Sequence, residues 1–129
     1  MHSNFVDTNI FIEVFARRGE KSDRSRKLLE SRSNLTTYSL VFSEVEWVLR
    51  AGYEEKKELV VRCLKKIVTL DIEIDNKKLL MNALNFYEMN NVDWTDCLNM
   101  FLVKENKISK VYSYDKGLNK FGWIKRLEP

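Results

Sequence analysis

The sequence predicts an α/β domain of three layers, with helices on both faces of a central, mainly parallel sheet of about four to five strands. Two observations carry this expectation. Short β-prone apolar stretches alternate with stretches of helical periodicity along the whole chain, the pattern that builds parallel sheets through helical crossovers. Glycine and proline are scarce, at 4 residues and 1, so the many tight turns of an all-β chain are not encoded.

The elements follow in order. Residues 3–7 (SNFVD) read as a short strand and 9–18 as a helix. Residues 21–32 form a second, charged helix, with Leu28 and Leu29 as its main apolar contacts. After a strand or extended link at 35–38, Ser39 reads as the N-cap of a helix over 40–51, since a serine there can satisfy an orphan N–H. Residues 54–68 open on acids, which suit the positive end of a helix, and their apolar positions recur at helical spacing. Leu70 to Ile74 alternates apolar residues with Asp71 and Glu73, as a strand with one polar face does. Helical periodicity returns over 76–90 through Leu79, Leu80, Ala83, Leu84 and Tyr87. Asp93 or Thr95 caps a helix running to about residue 106. A strand at 109–114, a helical turn at 116–121 and a last strand at 123–127 complete the order.

Length and composition narrow the function. A chain of 129 residues fits one domain, 1–129, and a content of 44% apolar and 32% charged residues is globular. No apolar run approaches a membrane span, and MHSNFVDTNIF lacks the basic start and long apolar stretch of a secretory signal, so a cytoplasmic location without membrane contact is expected. Cys63 falls in an apolar stripe with Leu59, Val60, Leu64 and Ile67, and Cys97 opens another apolar helix. Neither has a CxxC partner, so neither zinc nor a disulfide framework is indicated. The only histidine, His2, reads as frayed and solvated. Any catalysis must then proceed without a histidine base or a thiolate pair. A net charge of +3 permits a polyanionic partner without demonstrating one.

Ligands of parallel sheets bind at the carboxyl ends of strands, and acids stand there. Asp7 closes the first strand and Asp115 the fourth. Each acid also has an ordinary structural explanation. Taken alone, Asp7 reads better as a helix N-cap, capping can account for both Asp93 and Asp96, and Asp115 reads as a cap or turn residue. Glu44 reads as an exposed helical glutamate, and so does Glu46. If Asp7, Glu44, Asp96 and Asp115 converge on one crevice, their like charges repel, and a hard divalent cation is the natural compensation. With histidine and cysteine effectively absent, oxygen is the ligand type on offer, which suits Mg²⁺ or Mn²⁺.

Four segments, FVDTNIF, Ser39-x4-Glu44, DWTDCL and VYSYDKGL, together resemble the PIN domain, and most of all its small prokaryotic branch, the VapC toxins of toxin–antitoxin pairs. They occur in the family's order and with its typical spacings. The resemblance implies that Asp7, Glu44, Asp96 and Asp115 are metal-binding acids for Mg²⁺ or Mn²⁺, with Asp93 as a second-shell or extra acid. Asp7, Asp96 and Asp115 would hold a metal, while Glu44 positions or deprotonates the attacking water or helps a second metal. Thr8, Asn9 and Ser113 fall at supporting polar positions. Lys116 and Lys120 are candidate phosphate contacts, with a solvated helix face as the alternative. The resemblance further implies RNA cleavage, a homodimer and a VapB antitoxin in the cleft. Gly117 and Asn119 stand where many relatives carry acids or aromatics, which bears on metal number.

Rival chemistries fit less well. A phosphatase with an aspartyl nucleophile wants a second Asp two residues on, where Asn9 stands, and a receiver-like phosphoacceptor wants an acidic pair where NFVDTN supplies one acid. The alternative outside catalysis is an RNA- or protein-binding module with a silent or weak nuclease site. The aromatic supply, including Trp47, Trp94, Trp123, Phe11, Phe15 and Phe42, exceeds what one small core needs. Each is a core residue by default, and some can line a dimer interface or an antitoxin groove.

Overall fold

Parallel strand pairing organises the chain, as the alternating pattern requires. The structure, a computed structural model, describes residues 3–31 and 33–129; His2 lies outside the described residues. The chain is α/β, with five strands paired in parallel as two sets among the described residues. It divides into two units, Met1–Lys77 and Lys78–Pro129. No helix among the described residues is long and apolar enough to cross a membrane.

In the first unit, β1 (Asn4–Phe5), β2 (Leu35–Thr37) and β3 (Glu73–Ile74) pair in the order β1-β2-β3. Asn4 lies opposite Leu35, and Thr36 opposite Glu73. Both crossovers are helical. Helices α1 (Thr8–Ala16) and α2 (Glu20–Glu30) join β1 to β2, with Gly19 at φ 119° making the left-handed turn between them. Helix α3 (Ser39–Trp47), a π-helical turn (Val48–Gly52) and α4 (Lys57–Thr69) join β2 to β3. The amphipathic stripes are buried: Phe11 and Ile12 of α1, Val45 and Leu49 across α3 and the turn, Leu64 and Ile67 of α4. Cys63 is a buried free thiol in the α4 stripe, and burial pushes its pKa up.

Two local expectations change. Ser39 is the first residue of α3 rather than its cap; Tyr38 holds the cap position and makes no side-chain cap bond. The capping acceptor comes from far away. The Asp75 carboxylate accepts the Ser39 N–H at 2.6 Å and the Ser39 hydroxyl at 2.8 Å, 36 residues along the chain. Glu46, expected to be exposed, is only 2% exposed. Phe42, Val45, Glu46 and Leu49 fall at i, i+3, i+4 and i+7, so Glu46 lies inside the buried stripe while Glu44 lies off it. Arg50 answers the buried charge, its Nε donating to Glu46 Oε2 at 2.7 Å.

The second unit begins within α5 (Lys77–Met89), whose Leu80, Ala83, Leu84 and Tyr87 are buried. Helix α6 (Trp94–Glu105) follows, then β4 (Lys110–Tyr112), a 3-10 turn (Lys116–Lys120) and β5 (Lys125–Leu127). Strands β4 and β5 pair with Lys110 opposite Lys125 and Tyr112 opposite Leu127. An aromatic cluster packs this unit: Phe86 lies 5.1 Å from Phe121 and 5.5 Å from Trp123, and Phe101 lies 4.9 Å from Trp123 between ring centres. The Trp123 indole donates to the Met100 carbonyl at 2.9 Å, and Lys104 sits 4.8 Å over its ring. Trp123 therefore belongs to the cluster, and the last strand starts at Lys125 rather than at residue 123. The buried Cys97 thiol donates to the Ala83 carbonyl at 3.3 Å, tying α6 to α5.

Arg50→Met removes a charge-assisted partner of a buried carboxylate. It is expected to lower the unfolding free energy by about 1–3 kcal/mol, and adding Glu46→Gln is expected to recover part of that loss. Urea denaturation of the two variants measures both effects; an Arg50→Met protein as stable as the parent removes the pair from the stabilising contacts.

Candidate functional site

The first unit carries Asp7, Thr8, Asn9 and Glu44. Asp7 occupies the N-cap position of α1 with extended backbone (φ −86°, ψ 165°), yet its side chain makes no cap hydrogen bond. Capping therefore does not explain this aspartate, and its exposed carboxylate is left for other work. The strand end below it is fixed, because Val6 is buried and its carbonyl accepts the Thr37 hydroxyl at 2.9 Å. Thr8 is buried with an Oγ1 that has no hydrogen-bond partner among the described residues. Asn9 and Glu44 are exposed, Glu44 on the side of α3 away from its buried stripe.

In the second unit the structure brings three acids together. Asp93 is the N-cap of α6, its Oδ2 accepting the Asp96 N–H at 3.1 Å. This settles its local role as a cap and places Asp96 in the first helical turn. The Asp115 carboxylate, 19 residues further on, lies close enough to act on the Asp96 carboxyl. Burial, then the charge of Asp93, then the proximity of Asp115 push the Asp96 carboxyl above the usual aspartate range. Like charges this close repel, and a proton or a cation relieves them.

Asp115 is positioned from both sides. Its N–H donates to Ser113 Oγ at 3.0 Å, and its Oδ1 accepts the Gly117 N–H at 2.8 Å, capping the 3-10 turn. The Ser113 hydroxyl thus holds the Asp115 backbone, and its carbonyl accepts from Arg126 at 2.9 Å. A Cβ at Gly117 would stand 2.9 Å from Asp115 Oδ1, so the glycine leaves room for the carboxylate. Lys120 donates to the Asn91 carbonyl at 2.6 Å, tying the turn to the loop before α6, whereas Lys116 is exposed. Sequence reasoning missed Gly117 and Arg126 as positioning residues. The glycine two residues after a strand-end acid was the available signal for the first; a contact 13 residues away left none for the second.

Among the described residues no three His, Cys, Asp or Glu side chains form a group able to hold a metal ion. The donors drawn together here are a carboxyl pair. That set suits Mg²⁺ or Mn²⁺, hard cations commonly held by one or two carboxylates with several waters retained. The raised proton affinity of Asp96 fits the same role, because a bound cation compensates both the burial and the neighbouring charges that raise it.

Parallel strands with helical crossovers define an α/β domain, with an exposed carboxylate after β1 in the first unit and, in the second, acids at the start of α6 and after β4. The PIN domain family model matches residues 5–124, and the chain belongs to that family. Among solved structures it is similar to a Mycobacterium tuberculosis protein described as VapC20, a sarcin–ricin loop cleaving toxin. The two share 17% identity over 97% of this chain and 98% of that one, with a TM-score of 0.40. Comparison with curated protein sequences finds no match.

The raised proton affinity of Asp96 has a stability consequence. Folding binds its proton more tightly than the unfolded chain does, so stability falls as pH rises from the ordinary aspartate value, about 3.9, through the raised one, and stays lower above it. Asp96→Asn removes that loss. In EDTA at neutral pH the variant is expected to melt at a higher temperature than the parent, with the difference vanishing at low pH. A lower melting temperature at neutral pH contradicts the assignment of strain to this pair.

Proposed function

We propose that the chain is a metal-dependent endoribonuclease, hydrolysing RNA phosphodiester bonds with Mg²⁺ or Mn²⁺, and the toxin of a VapBC-type pair in the cytoplasm. The observation that carries this reading is the Asp96–Asp115 carboxyl pair within a PIN domain. Residues 1–129 act in it as one catalytic domain, since the family match runs through both units. Asp7 and Glu44 complete the acid set on the strength of the motif resemblance, and the absence of a cap bond at Asp7 supports its assignment.

When bound, the metal supplies Lewis acidity, neutralises charge and makes a coordinated water more acidic. Asp96, Asp115 and Asp7 would hold it. Asp93 fixes the first turn of α6, and Ser113 and Gly117 fix the Asp115 carboxylate, so the pair is oriented before substrate arrives. Glu44 takes the proton of the attacking water. Thr8 and Asn9 support Asp7, and Lys116 meets substrate phosphate; Lys120, tied to the Asn91 carbonyl, positions the turn. A homodimer, and a VapB-like antitoxin that restrains the enzyme, belong to the same reading.

A second reading, a binding module with a silent or weak site, is favoured by the lack of a three-donor group among the described residues. Purified protein is expected to cut structured RNA with Mn²⁺ and to stop in EDTA. Asp7→Asn is expected to lower the cleavage rate at least a hundredfold while keeping the parent's melting temperature. Cleavage by Asp7→Asn at the parent's rate removes Asp7 from the site. Absence of cleavage across several RNAs, together with no Mn²⁺-induced rise in melting temperature, selects the binding module. Light scattering is expected to show a dimer, and a clean monomer removes the homodimer.

A further inference from the structure

Next to the carboxyl pair, two large rings stand in water. Tyr112 and Tyr114, on the segment running up to Asp115, are each 71% exposed. Ser113 between them is half-buried, and its N–H continues the β4–β5 ladder to the Leu127 carbonyl at 3.0 Å. Exposure alternates from Lys110 to Tyr114: Lys110, Tyr112 and, on the bend that follows β4, Tyr114 are exposed, while Val111 and Ser113 are half-buried. Among the described residues neither tyrosine ring stacks on another aromatic, whereas Phe86, Phe101, Phe121 and Trp123 of the same unit pack together. Leaving two such rings in solvent forgoes the stabilisation that burying them brings.

The charge around them is as uneven. Residues 106–129 hold six basic against two acidic residues, while the rest of the chain holds 16 against 17. The whole net positive charge of the chain therefore resides in this segment. Lys110 precedes the rings, Lys116 follows them, and Lys125 stands opposite Lys110 in the strand register, all three exposed. Aromatic faces interleaved with lysines match a flexible polyanion whose bases are free to stack.

We propose that Tyr112 and Tyr114, with Lys110 and Lys116, form a stacking platform for two unpaired bases of a single-stranded RNA segment beside the Asp96–Asp115 pair. The inference rests on the nuclease reading for the identity of the polymer. Residues i and i+2 of an extended chain are about 6.6 Å apart, whereas stacked bases in a duplex strand are about 3.4 Å apart. Two rings at the wider spacing each take a base that has left its stack, which a duplex does not offer and a loop does. Stacking accepts any base, so the platform selects unpaired structure rather than sequence.

The test is fluorescence anisotropy in EDTA, which prevents cleavage, with a labelled single-stranded RNA of about 10 nucleotides and the same strand annealed to its complement. The parent is expected to bind the single strand more tightly. Tyr112→Ala with Tyr114→Ala is expected to weaken that binding roughly tenfold or more, and the single variants less. Phe at both positions is expected to retain it, because stacking needs no hydroxyl, and all variants should keep the parent's melting temperature. Unchanged affinity in the Ala variants, loss of affinity in the Phe variant, duplex preference, or no RNA binding by the parent overturns the platform. So does a change of oligomeric state in the Ala variants with RNA affinity unaltered, which assigns the rings to a second copy of the chain. Binding without metal-dependent cleavage sinks the nuclease reading and leaves the platform standing; cleavage with Ala-insensitive binding does the reverse.

Discussion

Two aspartates held close together are the constraint on which the second unit turns. Asp96 and Asp115 approach across 19 residues of sequence, with Asp93 close enough to add its charge. Left to electrostatics such groups separate, since like charges at short range repel. They stay because each is fixed by bonds unrelated to the other. The Asp93 cap sets the first turn of α6, and the Ser113 hydroxyl and Gly117 amide fix the Asp115 side chain from before and after it. Arg126 and Lys120 then tie Ser113 and the 3-10 turn to neighbouring backbone, and the aromatic cluster around Trp123 packs the unit. Rigid local structure holds a repulsive pair in place, the arrangement expected where charge is to be met by a ligand.

The first unit solves a different problem with the same kind of device. Helix α3 starts one residue after β2 with Tyr38 at the cap position, whose side chain makes no cap bond, and the exposed Asp75 carboxylate from beyond β3 supplies the acceptor. Glu46, the buried acid of this unit among the described residues, is answered by Arg50 one turn later. Asp7 is the exception: it holds a cap position without capping. An acid in the right place for an ordinary task, and not performing it, separates a candidate ligand from a structural residue better than its position alone.

Much of this was legible in the sequence. The order of strands and helices follows from period-2 and period-3.6 patterns, which burial of one face imposes locally. Asp7, Asp96 and Asp115 were legible as strand-end or helix-start acids, although the motif resemblance was needed to prefer ligands over caps. Glu44 owed its place mostly to that resemblance. What escaped depends on contacts distant in sequence or on backbone room. The bond from Ser39 to Asp75 spans 36 residues, and nothing in the SLVFS stretch announces an outside cap. Glu46 could have been found from its i+4 relation to Phe42, but the general habit of glutamate outweighed the stripe. Gly117 was noted for the acid it lacks, while its use is the space it leaves beside Asp115.

Residues that weaken the fold gather in one short stretch. Between Lys110 and Gly117 the chain exposes two tyrosines, concentrates lysines and ends on the acid that crowds Asp96. Each feature taken alone has a local explanation: an alternating strand, a solvated charge, a turn cap. Together they do not, because a segment selected only for stability would bury the rings and separate the carboxyls. On the reading proposed, the carboxyl pair accounts for the acid, and an anionic, base-bearing ligand accounts for the rings and the lysines at once. The same eight residues would then supply both the chemistry at Asp115 and the surface that presents unpaired RNA to it.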